Sequence, residues 1–192
     1  MTTSKLLFTP GPLTTSATVK TAMLRDTGSR DHDFLNTVRE IRARLLAIGG
    51  MGSPDVDNVT KYECVLMQGS GTFAVESVIS SVIPREGKLL VRVNGAYGRR
   101  IAQMAGVHGI ETKTVDVPEN RKISPDVVAD CFATARGITH AAVVHCETTT
   151  GIVNPIEKIG AVVDRAGARI AVRRSRRPAP ERTHGSFRPS RL

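Results

Sequence analysis

A glycine-rich segment, Gln68-Gly69-Ser70-Gly71-Thr72, stands between an apolar run and a helical pattern. The N–H groups at the start of a helix have no intrahelical partner and carry a partial positive charge, so this position stabilises an anion. Glycine lets a phosphate approach the backbone, and the hydroxyls of Ser70 and Thr72 are further donors. The segment lacks the lysine of a Walker A motif and the third glycine of a dinucleotide fingerprint. It predicts either a phosphate-binding loop or an ordinary strand-to-helix turn with a capping serine.

Two further loops carry side chains that could contact the remainder of a ligand whose phosphate binds at the helix start. One, Asn94 to Gly98, contains Tyr97, one of two tyrosines in a chain without tryptophan. The other, His145 to Gly151, contains three consecutive threonines beginning at Thr148. A planar aromatic ligand would place its phosphate on the helix start, its ring against Tyr97 and a polar ring substituent near the threonines. Considered singly, the tyrosine also fits a residue that covers apolar surface, and the threonines fit a strand end.

The elements that must position these loops follow from the hydrophobic pattern. A short helix is predicted at 17–24 and a longer one at 34–48, capped by Asp33 and ended by Gly49-Gly50. Strands and helices then alternate: strand 62–67, helix 73–83, strand 88–93, helix 98–106, strand 110–117, helix 125–135, strand 138–146, helix 155–166 and strand 168–172. The alternation predicts an α/β fold with a mainly parallel sheet and helices on its faces. Because ligands gather at the carboxyl ends of such strands, the three loops would face one cavity.

Composition and charge set broader bounds. Of the 192 residues, 40% are hydrophobic and 23% charged, which is typical of a globular protein. The formal charge of +9 is concentrated at one end, because residues 173–192 hold seven arginines and a single acid. This proline- and arginine-rich stretch predicts a disordered tail. An arginine arm for nucleic acid is an alternative that such a composition only weakly supports.

Cysteine and histidine spacing indicates neither a disulfide framework nor a metal site. Cys64, Cys131 and Cys146 are widely separated and form no CxxC pair, and the five histidines show no ligand spacing. No apolar run reaches the length of a membrane span, and the first residues do not resemble a signal peptide. A cytoplasmic protein without a metal or a membrane partner is therefore expected.

Four motifs, in the same order along the chain, resemble those of class V, fold-type I aminotransferases, which use pyridoxal 5′-phosphate (PLP). They are Phe8-Thr-Pro-Gly-Pro-Leu-Thr-Thr, Leu66-Met-Gln-Gly-Ser-Gly-Thr-Phe-Ala-Val-Glu, Asn94-Gly-Ala-Tyr-Gly and His145-Cys-Glu-Thr-Thr-Thr-Gly. The resemblance runs from about Leu6 to Val172 and is to the N-terminal half of the family. It implies a three-layer α/β/α large domain of the aspartate aminotransferase type, present here in truncated form.

The resemblance also implies roles for individual residues. Ser70, Gly71 and Thr72 would bind the cofactor phosphate, Tyr97 would stack on the pyridine ring, and Thr148 would hydrogen-bond the ring hydroxyl. Gly11, in the Pro-Gly-Pro turn, would lie near the substrate.

Within the family, the motifs are most similar to those of transaminases that act on 2-aminoethylphosphonate and pyruvate. The implied reaction, part of phosphonate catabolism, yields phosphonoacetaldehyde and alanine, with PLP as the electron sink. The full-length form is expected to be a homodimer. The nearest alternative is a member of the class that acts on alanine or serine with glyoxylate or pyruvate, and a noncatalytic pseudoenzyme fragment is a third.

The resemblance stops after Val172. The family continues with Asp-Ala-x-Ser-Ser, whose aspartate contacts the ring nitrogen, and places the Schiff-base lysine further downstream. This chain instead has Arg173-Arg-Ser-Arg-Arg, and no lysine follows Lys158. An arginine in place of the aspartate would oppose protonation of the ring nitrogen. We therefore expect no catalytic residue and no transaminase activity in the chain as written.

Three regions are predicted from these boundaries. Residues 1–30 form an N-terminal arm, residues 31–172 a partial PLP-binding domain, and residues 173–192 the disordered tail. Translation in a shifted reading frame is one explanation for the tail.

Overall fold

The computed structural model describes residues 6–9, 11–51 and 62–173. The chain divides into two compact units, Met1–Gln68 and Gly69–Leu192, which are considered separately. The predicted disorder of residues 174–192 lies outside the described residues, as does Pro10 of the Pro-Gly-Pro turn.

The first unit contains two helices, α1 (Ala17–Ala22) and α2 (His32–Ile48). Both match the predicted positions, but the cap of α2 was assigned to the wrong residue. Asp31, not Asp33, occupies the N-cap position, and its carboxylate accepts a hydrogen bond from the Gly28 amide at 2.7 Å. Asp33 lies in the first turn and pairs with Arg25 at 3.1 Å. Because either aspartate suits a helix start, only the backbone geometry decides between them.

The strand predicted at 62–67 is not formed. Residues 62–68 have no regular secondary structure, and Val65 is 76% exposed. A strand is stabilised by hydrogen bonds to a neighbouring strand, and no described strand pairs with this segment. Its apolar pattern alone is therefore insufficient to make it a strand.

The second unit alternates helices with parallel strands, as predicted. Its elements are α3 (Gly71–Val82), β1 (Lys88–Val93), α4 (Ala96–Val107), β2 (Glu111–Asp116), α5 (Pro125–Thr134), β3 (Ile138–Val144), α6 (Ile156–Arg165) and β4 (Arg169–Arg173). The sheet order is β2-β1-β3-β4, and every pairing is parallel. The chain passes from β1 outward to β2 and then returns to β3 on the other side of β1. The loops after β1 and β3 therefore flank the point where the strand order reverses, the usual position of a ligand site in such sheets.

The last strand corrects the predicted start of the tail. Arg173 was assigned to the disordered tail, but it is the final residue of β4 and lies opposite Val144 in the β3–β4 ladder. Its carbonyl accepts a hydrogen bond from the His145 amide at 2.9 Å. Pairing with β3 thus extends the strand one residue beyond the apolar run that predicted it.

Helices cover both faces of the sheet. Leu90 of β1 belongs to a core cluster that includes Val128 of α5 and Ile159 of α6. Leu89 and Val91 belong to a second cluster, formed with residues of α3 and α4. Alternate side chains of β1 thus enter opposite clusters, as the pleat of a strand requires. The resulting three-layer α/β/α arrangement confirms the predicted fold class.

Among the described helices, none is both long enough and apolar enough to cross a membrane.

Candidate functional site

Ser70 begins α3 and caps it. Its Oγ accepts a hydrogen bond from the Phe73 amide at 3.2 Å. The amides of the following residues start the helix and have no intrahelical partner. A Cβ placed on Gly71 would meet no other atom within 4 Å, so the space beside these amides is open. The segment is therefore a capped turn that also exposes donors for an anion.

Arg100 adds a positive charge to this helix start. Its Nη1 donates to the Oγ1 of Thr72 at 3.4 Å, which joins α4 to the first turn of α3. Arg100 belongs to none of the predicted site residues, although its position three residues after Tyr97 places both on one side of α4. A cation near unpaired amides favours a negatively charged ligand.

Tyr97 lies in the first turn of α4 and packs against the second core cluster. The guanidinium carbon of Arg173 stands 3.6 Å from the centre of its ring, which is a close cation–π contact. The Arg173 Nη1 atom is buried and has no hydrogen-bond partner. One face of the tyrosine ring is therefore covered by the residue that follows Val172.

Thr148 lies in a tight turn that follows β3. The turn is closed by a hydrogen bond from the Gly151 amide to the Glu147 carbonyl, at 2.7 Å. Thr148 is half-buried, whereas its neighbour Thr149 donates from Oγ1 to the Glu147 carboxylate at 3.1 Å. The turn thus holds the threonine run at the carboxyl end of the sheet.

The loops after β1 and β3 are in direct contact through Glu147, which is not among the predicted site residues. The side chain of Glu147 is completely buried, and its Oε2 atom has no hydrogen-bond partner. A Cβ on Gly95 would lie 2.3 Å from the Cγ of Glu147, so only glycine leaves room for this carboxylate. The predicted convergence of these two loops is thereby observed.

A buried pair of asparagines fastens the loops further. Asn94 and Asn154 exchange side-chain hydrogen bonds of 3.0 and 3.2 Å. Asn94 also donates to the Arg121 carbonyl, and Asn154 accepts from the Ile123 amide and donates to the Val144 carbonyl. The pair connects the ends of β1 and β3 to the loop before α5.

Two buried basic residues lie within the strands. Burial lowers the pKa of Arg92 in β1, and the nearby thiol of Cys131, whose Sγ is 3.9 Å from Nη1, partly opposes this effect. Burial also lowers the pKa of His140 in β3, and the charge of Arg169 lowers it further. The Thr139 hydroxyl contacts the His140 Nδ1 atom at 2.8 Å. His140 is therefore a neutral core residue.

Gly11 belongs to the first unit and is exposed, with open space around its Cα. Its place near a substrate stays a prediction.

Comparison with known proteins gives a consistent set of relatives. The chain is 48% identical over 162 residues to a 2-aminoethylphosphonate–pyruvate transaminase of Syntrophobacter fumaroxidans, which covers 84% of this chain and 42% of the relative. A transaminase of the same name from Rhizobium meliloti is 46% identical over 166 residues, covering 86% of this chain and 42% of the relative. No protein-family model matches.

Solved structures agree with these relatives. Alanine–glyoxylate aminotransferase from Nostoc sp. superposes with a TM-score of 0.76 and 28% identity, over 90% of this chain and 44% of that structure. Pyridoxamine–pyruvate aminotransferase from Mesorhizobium loti gives a TM-score of 0.74 and 26% identity, over 88% and 41%. The chain is a relative of the class V, fold-type I aminotransferases. It spans less than half the length of the relatives that it matches.

The aminotransferase relationship implies PLP, and the residues present fit one end of this cofactor. The phosphate suits the open amides beside Gly71, the hydroxyl of Thr72 and the guanidinium of Arg100.

The cleft beside Tyr97 does not fit the pyridine ring of the cofactor. The cleft lined by residues that include Thr72, Tyr97, Arg100 and Arg173 has a volume of about 10 Å³. That volume holds about one water molecule. A larger cavity of about 340 Å³ lies beneath α3, but side chains such as Val75, Ile79 and Val172 make its wall mostly apolar. In this aminotransferase relative, the start of α3 has open space beside its amides, whereas one face of Tyr97 is occupied by Arg173.

Proposed function

We propose that residues 1–172 are the cofactor-phosphate half of a transaminase that moves the amino group of 2-aminoethylphosphonate to pyruvate. The supporting observation is the 48% identity to a relative of that name, over 84% of this chain. Identity to the alanine–glyoxylate enzyme is 28%, which makes this alternative substrate pair the weaker one. The full-length form is proposed to be a cytoplasmic homodimer.

In this proposal Ser70, Gly71 and Thr72, together with Arg100, hold the phosphate of PLP. The cofactor supplies an electron sink for the amino-group transfer when it is bound. Tyr97 stacks on the ring and Thr148 hydrogen-bonds the ring hydroxyl in a chain where no arginine covers the tyrosine. Gly11 lies beside the substrate.

For the chain as written, we expect no measurable transamination. The residue that follows Val172 is an arginine whose guanidinium stacks on Tyr97. A cation there disfavours the protonated ring that this chemistry uses.

A chimera tests whether residues 1–172 can serve as the first part of this transaminase, independently of residues 173–192. Residues 1–172 are joined to the part of the Syntrophobacter enzyme that this chain does not match, and alanine formation from 2-aminoethylphosphonate and pyruvate is followed. We expect turnover by the chimera and none by the 192-residue chain. A chimera that transfers amino groups only from alanine or serine to glyoxylate would replace the proposed substrate with the alternative. An inactive, well-folded chimera would refute the framework itself.

A further inference from the structure

The backbone of Arg173 is fixed by the sheet. Arg173 lies opposite Val144 in the β3–β4 ladder, and its carbonyl accepts from the His145 amide at 2.9 Å. A residue at the end of a paired strand has a defined side-chain direction. The guanidinium is thereby delivered to the ring of Tyr97, 3.6 Å from its centre.

The stacked guanidinium uses the same surface that a planar ligand would need. Guanidinium and aromatic rings both lie flat on a tyrosine face, so the two exclude one another. The neighbouring cleft of about 10 Å³, which Thr72 and Arg100 line, is too small for a six-membered ring. A ligand ring can reach Tyr97 only if Arg173 moves away.

Positive charge has opposite effects on the phosphate and on the ring of the cofactor. Arg173 and Arg100 both line the cleft near the first turn of α3, where cations stabilise a phosphate dianion. The same charges act against a protonated ring nitrogen. These two arginines therefore stabilise a phosphate and give no stabilisation to the ring attached to it.

We infer that Arg173 is a specificity-determining residue that occupies the ring position on Tyr97, so that this chain binds a phosphate that carries a pyridine ring no more tightly than simple phosphate. This inference rests on the proposed function, which places the cofactor ring on Tyr97, the surface that Arg173 covers.

The test compares two ligands on the full 192-residue chain. The Kd of inorganic phosphate measures binding at the start of α3 alone. The Kd of pyridoxine 5′-phosphate measures binding of the phosphate together with the ring. Pyridoxine 5′-phosphate has no aldehyde, so it cannot form adventitious imines with the seven lysines. The readout is ring selectivity, defined as the Kd of phosphate divided by the Kd of pyridoxine 5′-phosphate. Removing an arginine weakens the attraction for both ligands, because both carry a phosphate, and this common effect cancels in the ratio of the two Kd values.

The variants are Arg173→Ala and Arg173→Asp, with Arg169→Ala as the matched control at the other end of β4. We expect a ring selectivity near one for the wild type and for the control. In both Arg173 variants it should rise about tenfold, the contribution of one stacked aromatic pair. Adding Tyr97→Leu to Arg173→Ala should return the selectivity to one.

A second measurement reports the stacking directly. With Tyr62→Phe, Tyr97 is the sole tyrosine in a protein without tryptophan, so its fluorescence is unambiguous. Quenching of Tyr97 by acrylamide should increase when Arg173 is replaced and should not change with Arg169→Ala.

A wild-type selectivity of about tenfold or more would overturn the role of Arg173, and so would folded Arg173 variants whose selectivity stays at one. If neither variant folds, the wild-type ratio still decides. The chimera described above lacks Arg173, so its activity tests the transaminase framework and cannot be confused with this result.

Discussion

At the scale of single residues, Ser70 shows that a helix cap and a phosphate-binding loop are compatible. Its Oγ accepts from the Phe73 amide, and a hydroxyl that accepts still has a proton to donate. The capped turn and the proposed phosphate-binding loop therefore do not exclude one another. Arg100 and Arg173 distinguish this site from a bare helix start, because one lies against Thr72 and the other against Tyr97.

Removing the cap should destabilise the second unit. We expect Ser70→Ala to lower the free energy of unfolding by about 1 kcal/mol, because the Phe73 amide loses its acceptor. Urea denaturation followed by circular dichroism measures this. Ser70→Asp should retain most of the stability, since aspartate also caps helices. Equal stability of the alanine and aspartate variants would contradict the capping role.

Gly95 should tolerate no side chain. Gly95→Ala places a Cβ 2.3 Å from the Cγ of Glu147, and we expect a loss of about 1–3 kcal/mol from overpacking. The matched control is Gly106→Ala in α4, where a Cβ meets nothing within 4 Å. That change should be neutral or stabilising, because alanine favours a helix. Similar unfolding midpoints for the two variants would rule out the steric account.

At the scale of elements, the site depends on strand ends that are fastened to one another. The asparagine pair joins the ends of β1 and β3, and Glu147 occupies the space that Gly95 leaves. Both contacts are buried, where an unpaired polar group is costly. The loops are therefore positioned by contacts between residues of one loop and residues of the other, at the ends of neighbouring strands.

The two asparagines should be energetically coupled. Asn154→Ala removes the Asn154 partner of the Asn94 side chain, the side-chain acceptor of the Ile123 amide and the side-chain donor to the Val144 carbonyl, which should cost about 1–3 kcal/mol. Asn94→Ala should behave similarly, and the double variant should cost less than the sum of both. Denaturant unfolding of the four proteins measures the coupling. Additive losses would show that the pair does not act as a unit.

His140 in β3 should make stability depend on pH. Its folded-state pKa lies below the ordinary 6.5 because it is buried, 6% exposed, and close in register to Arg169. The unfolded chain therefore binds the proton more readily, so stability is full above pH 6.5 and falls as the pH drops below it. The loss stops growing once the pH is below the folded pKa.

Thermal unfolding between about pH 8 and 5 should show this slope, which covers the range in which an ordinary histidine titrates. His140→Gln should flatten it, whereas His32→Gln, on an exposed residue, should leave it in place. An unchanged slope in His140→Gln would assign the pH dependence to other groups.

At the scale of the whole molecule, the two edges of the sheet differ. β2, at one edge, carries the charged residues Glu111, Lys113 and Asp116. β4, at the other edge of the described sheet, has the apolar centre Ile170-Ala171-Val172, next to the cavity beneath α3. Charged edges resist pairing with other chains, and apolar ones invite it.

The chain should therefore self-associate through β4. We expect Ala171→Lys to lower the fraction of large species in sedimentation velocity, because a lysine at an edge strand hinders further pairing. Thr114→Lys on β2 is the control and should have no effect. If both substitutions reduce association equally, net charge and not the β4 edge is responsible.

The sequence by itself determined the alternation of elements from β1 to β4, the parallel sheet, the capped loop at Ser70 and the family. These features depend on periodicity, capping residues and motif order, which are local along the chain. Tertiary structure alone decided whether 62–67 pairs as a strand, which aspartate caps α2, and that Arg173 belongs to β4. It also brought Arg100, Glu147 and Asn154 to the site. The cap of α2 depends on a local hydrogen bond between Gly28 and Asp31, which the sequence pattern did not separate from the alternative at Asp33. The other outcomes depend on hydrogen bonds or contacts between residues distant in sequence, which no local pattern specifies.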